Sequence, residues 1–186
     1  QEQGYWIAKF GKVSHGYDTG VKYDASMNHK RTPPPPGAPL NGIARSAGGK
    51  LTERDWGATH LDEDQMSDKR LADAAIEALQ RKHDKPFFIS CGLFHPHYPW
   101  YVPQKYLDLY PEHNTSRPAR AYGMCGVCEC ADTASPSGGL GIHYAAKDVS
   151  WGSCRTVLAM AAALDWAVGA VVDGLKATGA WKDTIM

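Results

Sequence analysis

DQMSDKRLADAAIEALQRKHDKPFFISCGL, residues 64–93, sets two different periodicities side by side. Met66, Leu71, Ala75, Ile76 and Leu79 recur every three or four residues, so one stripe of a helix from about Asp64 to Lys82 is apolar. Ser67 or Asp64 can cap its start, and Arg81 and Lys82 suit its negative end. Asp84-Lys85-Pro86 breaks the helix. Phe87 to Leu93 is then a short, nearly continuous apolar run, which reads as a strand buried on both faces. A helix leading into a buried strand predicts an α/β fold.

Working outward, residues 4–10 (GYWIAKF) are aromatic and β-branched enough for a strand ended by Gly11. Residues 16–60 are polar and contain Pro33-Pro34-Pro35-Pro36-Gly37, which predicts a long surface excursion with polyproline-like backbone. After the apolar run comes a loop, His95 to Pro103, and Pro103 then opens a short helix reaching about Tyr110. Residues 111–150 show no period. From about Cys154 to Lys176 the spacing of Val157, Ala161, Leu164, Val168, Val171 and Leu175 predicts a second long helix, with Gly179 just past its end. Asp183 to Met186 reads as the start of another strand, and both ends look cut, so an internal piece of a larger domain is expected.

Composition narrows the function. Hydrophobic residues make up 43% and charged residues 22% of the 186, as in a globular chain. Twenty Lys and Arg balance twenty Asp and Glu, which leaves no basic footprint for nucleic acid or an anionic membrane. No uninterrupted apolar run approaches the roughly 18 residues that cross a bilayer. An anion handled by this chain must therefore meet a few local cations.

Three places can carry chemistry. Lys12 and His15, in Gly11-Lys12-Val13-Ser14-His15-Gly16 after the first strand, can point at one anion, although two polar residues on a surface loop would look the same. His97, in His95-Pro96-His97-Tyr98-Pro99, leaves the carboxyl end of the apolar strand, where open α/β sheets place their ligands. Flanking prolines restrict its backbone, and its imidazole can protonate a leaving oxygen or simply fasten a loop. Cys125, Cys128 and Cys130, with Cys154 and a loose fourth candidate in His143, could hold zinc, but no second well-spaced pair accompanies them.

Taken in order, the strand with Gly-Lys-Val-x-His-Gly, the Lys-Pro-Phe-Phe strand, the Pro-His-x-Pro loop with Pro103 and Tyr106, and the late helix with Ala163-Leu164-Asp165-Trp166 resemble the sulfatases. The resemblance is to the iduronate sulfatase and choline sulfatase type of the alkaline phosphatase superfamily. It covers Gly4–Gly16, Trp56–Pro111 and about Leu158–Ile185, and residues 112–150 stand apart as a variable insertion. It implies a central mixed sheet sandwiched between helices, incomplete here, with residues 1–186 forming part of one catalytic domain. It further implies a formylglycine, hydrated beside one calcium ion, that attacks the sulfur of a sulfate ester. Lys12 would contact the formylglycine and the sulfate oxygens, His15 would bond the diol and help expel sulfate, and His97 would bind sulfate and act as the acid. Lys12 and His97 would thus be the substrate-binding pair.

The Cys-x-Pro-x-Arg or Ser-x-Pro-x-Arg that becomes formylglycine is missing, as are the family's paired aspartates and its Asp-His-Gly. The expectation is therefore that this chain alone neither binds calcium strongly nor turns over a sulfate ester. Alternatives are a phosphate or phosphonate ester hydrolase of the same superfamily, a cysteine-rich zinc module, or a degenerate homologue kept for binding. The resemblance favours sulfated polysaccharide or glycosaminoglycan units as partners, no nucleic acid and no membrane, and export to periplasm, lysosome or the outside. Exposed sheet edges predict poor solubility for the isolated chain.

Overall fold

The computed structural model describes residues 4–15, 20–40, 55–111 and 151–186, with the side chains of 151–154 excepted. In chain order the elements are β1 (Trp6–Gly11), β2 (Ala25–Met27), β3 (Trp56–Thr59), α1 (Ser67–Gln80), β4 (Phe87–Gly92), β5 (Trp100–Pro103), α2 (Gln104–Asp108) and α3 (Trp151–Ala177). Short 3-10 turns occupy Glu63–Gln65 and Ala180–Asp183. The fold is α/β, as the helix-then-strand pattern predicts.

Three strands form one sheet in the order β2-β1-β4, and β3 pairs with β5 in a second. Each described pairing is parallel. The β1–β4 ladder runs in register from Trp6 opposite Phe87 to Gly11 opposite Gly92. Between these two strands the chain crosses over through α1, whose Leu71, Ala75 and Ala78 cover Ala8 and Phe10 of β1. Leu71 is 2% exposed, so truncating it to alanine is expected to cost about 2–5 kcal/mol. A second core gathers Trp100 and Val102 of β5, Tyr106 and Leu107 of α2, and Ala159 and Met160 of α3. The motif residue Tyr106 belongs to this core and not to a site. Its hydroxyl is the one buried side-chain polar atom without a partner among the described residues, and Tyr106 is among the residues lining a cavity of about 20 Å³.

Several expectations need correction. Residues 16–60 are not only a surface excursion, because they supply β2 and β3, and Thr32 is buried with its hydroxyl 3.1 Å from that of Ser67. Ser67 is thus used by tertiary packing, and α1 has no side-chain cap at Met66. Asp64 sits in the preceding 3-10 turn, where Gln65 accepts the Asp62 N–H at 2.9 Å. The loop before Pro103 contains the four-residue strand β5. Strand β4 is not buried on both faces: α1 covers one, and Phe88 on the other is 58% exposed. Asp183 closes a 3-10 turn, and residues 184–186 join no described strand.

The long helix α3 exists as expected, and its buried face matches the anticipated stripe only in part: Leu175 is buried and Val157 and Val171 pack against the cores. Thr156, Ala159, Met160, Ala167 and Leu175 are buried, whereas Ala161 and Val168 face out. Small residues dominate the helix, so hydrophobicity alone does not distinguish its faces, and contact with α1 does. Gly174 meets Ile76 there so closely that a Cβ would sit 2.8 Å from its side chain. Arg155–Ala177 has a mean hydropathy of 1.6 and is, by length and composition, long and apolar enough to cross a membrane. That corrects the expectation of no such segment. The helix carries Asp165 and Asp173 and packs on α1, α2, β3 and β5.

Candidate functional site

The parallel strands β2, β1 and β4 end side by side, and the residues that follow them meet around one ring, Phe94. The close approach of β1 and β4 depends on glycine. Gly11 has φ +84°, and a Cβ there would lie 2.0 Å from the Gly92 carbonyl oxygen. With both side chains absent, the Lys12 N–H donates to that oxygen at 2.7 Å, which fixes where the lysine leaves the sheet. Its Nζ lies 5.8 Å from the centroid of Phe94. That is within reach of a cation–π contact.

The loop after β4 is fastened at every turn. Asp68, at the start of α1, accepts the Phe94 N–H at 2.8 Å and the His95 N–H at 3.1 Å, and its Oδ2 lies 2.6 Å from His95 Nδ1. Both partners of this contact are almost fully buried. Burial works to raise the Asp68 pKa, but the bond and charge of His95 and the two backbone N–H groups outweigh it, leaving the carboxyl below its ordinary 3.8. Next, the His97 N–H donates to Phe94 O at 3.1 Å, and the Trp100 indole N–H donates to Pro96 O at 2.7 Å. Tyr98 stacks on Trp100 at 3.7 Å. The peptide bonds before Pro96 and Pro99 are both cis.

His97 is exposed, with its ring 4.9 Å from that of Phe94. Its Nδ1 lies 2.8 Å from the Tyr98 carbonyl oxygen. A carbonyl oxygen can only accept, so Nδ1 carries the proton and Nε2 is the nitrogen left to exchange one. Lys12 and His97 therefore share a neighbour. His15 is exposed in the bend after Lys12, and among the described residues no hydrogen bond or ring contact joins it to either.

Two basic residues escaped the sequence reading. His29 stacks on Phe94 with ring centroids 4.9 Å apart and planes 12° apart, and the Arg31 guanidinium lies 6.0 Å from the same ring. Both follow β2 in the stretch taken for surface loop, and no spacing in the sequence links them to residue 94. Asp68 was likewise legible only as a helix residue. Burial, then the charges of Lys12 and Arg31, hold the His29 pKa below its ordinary 6.5, against the opposing pull of Asp68.

Cys91, in β4, is not a nucleophile. Burial and then the charge of Asp68 push its thiol up to about 11. Cys125, Cys128, Cys130, His143 and the side chain of Cys154 lie outside the described residues. Among those described, no three His, Cys, Asp or Glu side chains converge as metal ligands. The nitrogen-rich surroundings of Phe94 do not fit calcium, which takes hard oxygen ligands.

An open parallel α/β unit places its ligands at the carboxyl ends of its strands, and Lys12, His29, Arg31 and His97 follow those ends here. The comparisons agree with that class. The sulfatase family model matches residues 3–186, and the chain belongs to the sulfatase family. It is 28% identical over 203 aligned residues to a protein named sulfatase from Formosa agariphila. That match takes in 100% of this chain and 39% of the relative, so the chain spans well under half of that relative's length.

Proposed function

We propose that this chain supplies the sulfate-holding part of a sulfuric ester hydrolase acting on sulfated polysaccharide or glycosaminoglycan units. One observation carries the reading: in a chain of the sulfatase family, Lys12 and His97 leave adjacent parallel strands and flank the same ring. A sulfuryl group spreads negative charge over its oxygens as the ester bond breaks, and fixed cations stabilise that charge. Lys12 offers a compact ammonium for those oxygens. His97, held through Nδ1 by Tyr98, presents Nε2 to the ester and, when protonated there, gives the proton to the departing alcohol. His15 takes no step in this scheme, since among the described residues no hydrogen bond or ring contact joins it to Lys12 or His97.

Formylglycine and one calcium ion enter this proposal through family membership alone. The described residues do not fit calcium, and the chain holds no Cys-x-Pro-x-Arg. No step above runs through either group. Export to periplasm, lysosome or the outside completes the proposal, since polysaccharide substrates are found there.

The test uses the protein that contains this chain at the length of its relative. Hydrolysis of 4-nitrophenyl sulfate is compared with that of 4-nitrophenyl phosphate. Lys12→Ala and His97→Ala are each expected to lower kcat/KM on the sulfate roughly 10²–10³-fold. Faster turnover of the phosphate, or full activity in both variants, would overturn the reading.

A further inference from the structure

Phe94 is buried, at 5% exposure, yet it belongs to neither apolar core. Its ring lies among polar side chains instead. The rings of His29, His95 and His97 have centroids 4.9, 5.7 and 4.9 Å from its own, and Lys12 Nζ is 5.8 Å away. A phenylalanine placed only to bury area would sit among apolar side chains, as Leu71 does. Phe94 turns its surface to the two residues that the proposed function uses.

The position of Phe94 is set from outside the site. Its N–H donates to Asp68 at 2.8 Å and its carbonyl accepts the His97 N–H at 3.1 Å, so backbone bonds fix the residue at both ends. From the segment after β2, His29 stacks on the ring with planes 12° apart. Lys12 is held differently. A flexible four-carbon stem carries its ammonium, and among the described residues no hydrogen bond or ion pair fastens that group. The ring of Phe94 is what it lies against.

From these contacts we infer that Phe94 is a positioning residue: its fixed ring keeps the Lys12 ammonium and the His97 imidazole beside one surface, so that both reach the same sulfuryl group. The inference rests on the sulfatase reading for the roles of Lys12 and His97. The face of an aromatic ring attracts a cation, and a lysine already confined loses less rotamer freedom when it meets its anion. Small displacements matter here, because misplacing a group by about 1 Å can cost roughly a hundredfold in rate.

The experiment uses the protein that contains this chain at the length of its relative, with 4-nitrophenyl sulfate as substrate. Phe94→Leu keeps the apolar bulk and removes the ring, whereas Phe94→Tyr keeps the ring. Phe94→Leu should lower kcat roughly ten- to hundredfold and change KM less than about threefold, since both positioned groups act on charge that develops in the transition state. Phe94→Tyr should recover most of the rate. In a Lys12→Ala background the fold-loss from Phe94→Leu should shrink by about fivefold or more, because the residue acts through Lys12. Lysines labelled with carbon-13 at Cε give a readout that needs no turnover. The Lys12 signal, assigned by its loss in Lys12→Ala, should carry a ring-current shift in the wild type and lose it in Phe94→Leu. Phe94→Met serves as the ringless variant if Phe94→Leu unfolds in a thermal melt. Full activity without the ring, equal fold-losses in the two backgrounds, or an unshifted Lys12 signal in the wild type would overturn the inference, and the hydrolase reading then stands if Lys12→Ala is itself impaired. If the wild type hydrolyses no sulfate ester but the Lys12 shift depends on Phe94, the positioning stands and the hydrolase reading falls.

Discussion

At the scale of single residues, Asp68 does more for the site than its exposed neighbours on α1. It is the anchor of the loop that carries Phe94 and His97, although it touches neither Lys12 nor the space where an anion would sit. Replacing it with asparagine keeps the shape and removes the charge that pairs with buried His95. The expected loss is about 1–3 kcal/mol of stability, because an amide cannot accept at both ends as the carboxylate does and a buried donor is left unpaired. The pH dependence has a definite sign. The folded pKa of Asp68 is depressed, so its contribution is complete above its ordinary 3.8 and is lost as pH falls through the lower folded value. Urea midpoints measured from pH 7 down to pH 3 should therefore fall more steeply in the wild type than in Asp68→Asn. Parallel slopes would show that the pair is not what the acid breaks.

At the scale of elements, the two helices teach different lessons. Helix α1 buries the stripe that its sequence period announces, because large apolar residues alternate with charged ones. Helix α3 buries its stripe only in part, because alanine, glycine and valine surround it on nearly every side and leave the choice of face to packing. The buried face gives a sharp expectation. Met160→Glu, at a fully buried position in the second core, should unfold the protein or cost upwards of about 3 kcal/mol, since an unpaired charge is forced into an apolar interior. Val168→Glu, on the anticipated stripe but 46% exposed, should change stability by less than about 0.5 kcal/mol. Chemical denaturation of the two variants side by side checks the orientation of the helix, and the reverse ranking would refute it.

At the scale of the whole molecule, β4 stands at one end of the described three-stranded order and shows Phe88 to solvent. An apolar residue on an unpaired strand edge invites pairing with another chain. Phe88→Lys should raise the concentration at which this chain stays soluble, with its thermal midpoint unchanged, because Phe88 packs into neither core. Light scattering against concentration reads the first and calorimetry the second. A fall in the midpoint would mean that the exposed face is structural in the chain alone.

The sequence by itself determined the α/β class, the strand ending at Gly11, the amphipathic helix α1, the Lys-Pro-Phe-Phe strand and the candidate pair Lys12 and His97. Each of these rests on local periods or on a short motif read in one stretch of chain. Only the tertiary structure decided that three parallel strands end together, because strand pairing is a long-range choice that no local period encodes. That choice carries His29 and Arg31 from an apparently irregular segment to the ring of Phe94, ties the loop to Asp68 across sequence separations of 26 and 27, and leaves His15 apart in its exposed bend.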